Sequence, residues 1–119
     1  MATIIDWLPR IGAILTLIIG LVGFFRPQAF TAAMGIEMTK PEAWSEIRAV
    51  FGGMNIGLSL AALALNSPYV YMSLGLAWFC LLLARFWSIL KDGSTLKGSI
   101  PAIVIDGGLA ALFLSGFFA

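Results

Sequence analysis

Histidine is absent from these 119 residues, and cysteine occurs once. Without imidazole there can be no histidine-ligated haem, most zinc and copper sites lose their usual ligands, and the commonest general base is missing. A single thiol rules out an intrachain disulfide, and Cys80, inside an apolar run, reads as a small packing residue rather than a nucleophile. Charge is scarce too. Asp, Glu, Lys and Arg make up 11% of the chain with a net charge of +1, so no general attraction to nucleic acid is expected. No pairing of nucleophile and base stands out, and the expectation is a protein without catalysis, metal or cofactor.

What the chain has in quantity is apolar side chain: 61% of residues are hydrophobic, too many for a water-facing surface. They fall into four runs of about 20 residues, the length that spans a bilayer as helix. The fold class expected is therefore all-α, an integral membrane four-helix bundle, with residues 1–119 as one domain. The first span is expected over residues 7–25, with Asp6, Pro9 and Arg10 at its start and Arg26-Pro27 ending it. No Lys or Arg precedes it, which argues for a retained helix over a signal peptide. Residues 27–34 suit a short interfacial helix stopped by Gly35. Thr39-Lys40-Pro41-Glu42 reads as a capping box for the second span, which continues to about Leu65. Ser67-Pro68 opens the third span, expected over residues 69–90, and Ser99-Ile100-Pro101 opens the fourth.

Helical phase sorts the second span into two stripes. Glu46, Ala49, Gly53, Gly57, Ala61 and Ala64 form one, small except for its carboxylate; Arg48, Gly52, Asn55, Ser59 and Ala62 form the other. Both want neighbours, because small faces pack closely and polar groups are costly against hydrocarbon. One bundle of four can cover only one face fully, so a homo-oligomer is expected. Arg85 and Asp106 lie deeper in the third and fourth spans, Ser88 and Asp92 nearer the exit of the third. An unpaired charge at mid-membrane costs about 2.5 to 3.5 kcal/mol on insertion scales, so Arg85 should find a carboxylate, Asp106 or Glu46. The candidate site is thus Glu46, Arg48, Asn55, Arg85, Ser88, Asp92 and Asp106. It reads as a structural lock, a pocket for a lipid headgroup or small amphipathic ligand in which Arg48 or Arg85 holds an anion and Tyr71 and Trp78 supply apolar walls, or a proton or cation relay.

These residues resemble a family of short four-helix bacterial membrane proteins known as domain of unknown function 4345, which looks related to the DoxX-like group. Glu46, Arg48, Ala49, Gly52 and Gly53 carry its Glu-x-Arg-Ala-x-x-Gly-Gly pattern, and Arg85, Ser88, Asp92 and Gly93 its later elements. Phe51 stands where the pattern has tyrosine and Asp106 where the last helix more often has glutamate. The resemblance implies a fold and a site but carries no assigned activity. Small multidrug transporters share the length and helix number, yet their essential carboxylate lies in the first helix, and residues 11–25 contain no acid. The functional expectation is an accessory, scaffold or ligand-binding component of an inner membrane, with a small proton-coupled transporter subunit as the alternative.

Arg26, Lys40, Arg48, Lys91 and Lys97 lie on the side of the first and third loops, against Arg10 near the other face. The positive-inside rule then puts those loops in the cytoplasm and both termini in the periplasm. A C-terminal alkaline phosphatase fusion should be active and a C-terminal fluorescent protein that matures only in the cytoplasm dark; the opposite pattern would invert the topology.

Overall fold

Glycines set how closely the helices approach one another, and that spacing decides which ones pair. In the computed structural model, which describes residues 4–117, α1 spans Ile4–Phe25, α2 Pro27–Met34, α3 Pro41–Leu65, α4 Pro68–Lys91 and α5 Leu96–Leu114, the last followed by a 3-10 turn at Ser115–Phe117. All but α2 are long and apolar enough to cross a membrane, and no strand occurs among the described residues. The most extensive packing is of α1 on α3 and of α4 on α5; α1 against α5 joins the two pairs, while α3 and α4, neighbours in sequence, touch only lightly. A crevice is left between α3 and α4.

At the crossing of α1 and α3, a Cβ on Gly52 would lie 2.8 Å from the backbone of Phe24, so backbone meets backbone there. The small seam of α1, Gly12, Thr16, Gly20 and Gly23, is buried as its spacing predicts. In α3 the two stripes part company. Gly52, Asn55, Ser59 and Ala62 face inward, whereas Glu46, Ala49, Gly53, Gly57, Ala61 and Ala64 face outward, with open space where a Cβ on Gly57 would stand. Between Ile47 and Met54 α3 widens into a π-helix, a departure that hydrophobic periodicity did not signal. The core is small: Ala13, Ala62, Leu74, Trp78 and Leu109 pack around Tyr71 and Phe113, whose rings stack at 6.2 Å.

Helix ends mostly follow their local chemistry. Ser67 accepts from the Tyr69 amide at the start of α4, and Gly35 ends α2 in the left-handed region at φ 71°. The capping box at Thr39 does not form. Pro41 takes the first helical position and holds Lys40 extended, at φ −136° and ψ 153°, so α3 begins one residue later than that box requires. The last span starts earlier than expected, because the Thr95 hydroxyl accepts from the Gly98 amide and leaves Pro101 inside the helix. Likewise α1 begins at Ile4 and encloses Pro9. Cys80 faces outward rather than into packing. On α5 the inward face is Ala102, Asp106, Leu109, Ala110 and Phe113, and the small residues Gly107, Ala111 and Ser115, whose spacing predicts a packing seam, border an outer groove beside α4.

Two glycines in one helix should respond oppositely to alanine. Gly52→Ala forces a methyl into the Phe24 backbone and should cost about 1 to 3 kcal/mol, as overpacking does, whereas Gly57→Ala should be neutral or gain up to about 1 kcal/mol from helix propensity. Thermal melts in detergent would read both; the reverse pattern would mean that α3 packs by its other stripe, and equal losses that it packs by both.

Candidate functional site

The Asp106 side chain projects from the middle of α5 and is 1% exposed, a costly position for a carboxylate unless a cation meets it. The Arg85 guanidinium, on α4, supplies that cation: its Nε donates to Asp106 Oδ2 in a charge-assisted hydrogen bond. Arg85 itself is 29% exposed, and its terminal nitrogens have no hydrogen-bond partner among the described residues. Those free donors matter because of where they stand. Arg85 and Asp106 form one wall of a cavity of about 190 Å³, closed otherwise by apolar side chains. Ile18 and Val22 come from α1, Phe51 from α3, Trp78 and Leu81 from α4, and Phe30 and Met34 from α2.

The short helix α2 does more than lie along a surface. Phe30 and Thr31 are buried, and the Phe30 ring packs on Phe51 with centroids 4.8 Å apart, so α2 roofs the cavity. Phe51 sits in the π-helical stretch of α3. It also walls a second cavity, of about 150 Å³, in the crevice between α3 and α4. Trp78 and Leu81 are shared by both, and Leu58 and Leu74 carry the second cavity away from Arg85 toward the far ends of α3 and α4.

The seven side chains singled out in the sequence do not converge as one cluster. Arg85 and Asp106 meet, and Glu46 makes no ion pair among the described residues. Arg48 turns to α1, where a terminal nitrogen donates to the Phe24 carbonyl in the last turn of that helix, a position favourable to a cation. Asn55 borders the second cavity, but its amide donates to the Phe51 carbonyl at 3.0 Å, serving its own helix. Ser88 donates to Asp92 Oδ2 at 2.6 Å, and the Asp92 amide bonds the Ser88 carbonyl, which closes the end of α4. Among the described residues no group of His, Cys, Asp and Glu is arranged to hold a metal.

Sequence reasoning missed the apolar walls Phe30, Met34, Phe51 and Leu81. The one signal for them was the pairing of Phe30 with Met34 one turn apart on α2. It also missed Asn66, left-handed at φ 47°, whose side-chain oxygen accepts from the Tyr71 hydroxyl at 2.6 Å and from Arg10 Nε at 3.3 Å. That knot ties α1 to the start of α4 at the end of the bundle remote from Arg85.

A family described as "Domain of unknown function (DUF4345)" matches residues 4–117. No curated protein and no solved structure matches the chain.

The pair itself is open to a double-mutant cycle. Removing one partner of a buried ion pair generally costs about 3 to 5 kcal/mol, the loss expected for Asp106→Asn, which strands a guanidinium that cannot lose its proton. Arg85→Gln should cost less, since the stranded carboxyl can take up a proton, and the double replacement should recover much of the loss. Melts of the four proteins in detergent measure the coupling; strictly additive losses would show that the pair contributes nothing.

Proposed function

The chain belongs to the DUF4345 family, and from that premise we propose that it is a non-catalytic membrane component whose cavity beside Arg85 and Asp106 binds a small amphipathic molecule. One observation carries the reading: an ion pair between a buried carboxylate and a half-buried guanidinium that keeps unused donors borders an apolar cavity instead of being packed shut. A purely structural lock gains nothing from such an opening, because each unfilled space forfeits contacts and each unpaired donor in an apolar medium costs free energy. Apolar walls with a few convergent polar groups are the usual make-up of a small-molecule site. The size suits one too, since an apolar cavity of about 150 Å³ holds a benzene ring. Catalysis finds no support, for the lining offers no nucleophile beside a base.

Mass spectrometry of protein purified gently from its native membrane tests the reading. Wild type should carry a small amphiphile in stoichiometric amount, and Ala33→Trp, which fills the cavity from an exposed position on α2, should lose it while melting at the same temperature. Equal retention by both proteins, or none in wild type, would remove the cavity from consideration as a binding site.

A further inference from the structure

Charge balance and the arrangement of the two cavities narrow the ligand class, given the binding role proposed above. Arg85 and Asp106 are the charged side chains lining the first cavity, and they are already paired. The wall is therefore polar without being charged overall. An anionic headgroup at the free guanidinium nitrogens would lie near the Asp106 carboxylate, would add an uncompensated charge in an apolar medium, and would find only the Trp78 indole N–H as a further donor among the other lining side chains. A cationic headgroup would meet the guanidinium first. An uncharged oxygen acceptor fits without either penalty: a hydroxyl, ester or amide oxygen takes the unused N–H groups and leaves the pair intact.

The rest of the ligand is indicated by the crevice. The second cavity adjoins the first across Phe51, Trp78 and Leu81 and is lined beyond them by Val50, Met54, Leu58 and Leu74. Leu74 stands about 16 Å from Arg85 along the axis of α4, a run that suits a chain rather than a compact ring system. The α3 and α4 seam is also the lightly packed one, so a flexible chain can part it with little loss of contact. We propose that the site takes an uncharged single-chain amphiphile, its oxygen head on Arg85 and its aliphatic tail in the crevice between α3 and α4.

Trp78 stands between the two cavities and can report on both. The experiment uses the full chain in detergent with Trp7, Trp44 and Trp87 replaced by phenylalanine, and nitroxide-labelled amphiphiles of one tail length bearing an alcohol, a carboxylate or a trimethylammonium head. A second protein that retains Trp87 alone, on the outer surface of α4, reports general partitioning into the micelle. The alcohol should quench Trp78 saturably, at a concentration about tenfold lower than the two charged amphiphiles, and should not saturate at Trp87. Tighter binding of either charged head overturns the assignment of an uncharged ligand and leaves the binding role standing. Absence of saturable quenching with every head overturns both. Ala77→Phe, which narrows the second cavity, should weaken the long-tailed alcohol and spare a short-tailed one; equal effects on the two would overturn the placement of the tail.

Discussion

A carboxylate enclosed by hydrocarbon tolerates few arrangements, and the position of Asp106 constrains much of what surrounds it. Its cation must come from a neighbouring helix, so α5 and α4 are held in one register by Arg85. Glycine-mediated contact holds α1 to α3 independently. With two well-packed pairs joined through α1 and α5, the remaining seam between α3 and α4 stays loose, and the cavity beside the ion pair opens next to it. The polar centre and the weak seam are consequences of one packing scheme. That is why a polar pair and an apolar crevice end up adjacent.

Several other polar side chains answer a demand of the backbone. In an apolar medium every carbonyl released from regular hydrogen bonding needs a donor. Arg48 serves Phe24 at the end of α1 and Asn55 serves Phe51 in the widened turn of α3, while Ser88 and Asp92 bond each other at the end of α4. Such residues look like a binding constellation when read along the chain, since they are polar, clustered and embedded in apolar sequence. In the fold their partners are backbone carbonyls or one another.

How much was legible in the sequence follows from the range of each interaction. Four apolar runs, the left-handed cap at Gly35 and the cap at Ser67 are local, and they read correctly. Failures came where a neighbouring constraint overrode a local signal, as when Pro41 displaced the cap from Thr39. The pairing of Arg85 was legible as a need for one of two acids, but the choice of Asp106 depends on the packing of α4 on α5. A pocket at Arg85 walled by Trp78 was legible as one reading, but its other walls were not, because Phe30 and Phe51 are ordinary apolar residues on separate helices. A void has no residue of its own to announce it.

The widened turn in α3 bears on how this chain can change length over evolutionary time. A π-helical stretch accommodates residues that an α-helix of the same rise would not. Losing a single residue between Ile47 and Met54 would let the helix tighten to α geometry, and the residues beyond would keep their faces, because the widened turn carries the surplus. A residue lost from the regular helix at Asn55–Leu65 would instead swing everything on one side of it by about 100° around the axis, and no loop lies within the span to absorb the rotation. Changes of length within α3 are thus tolerable at the widened turn and costly elsewhere. Outside that turn the number of residues is as much a part of the structure as their identity.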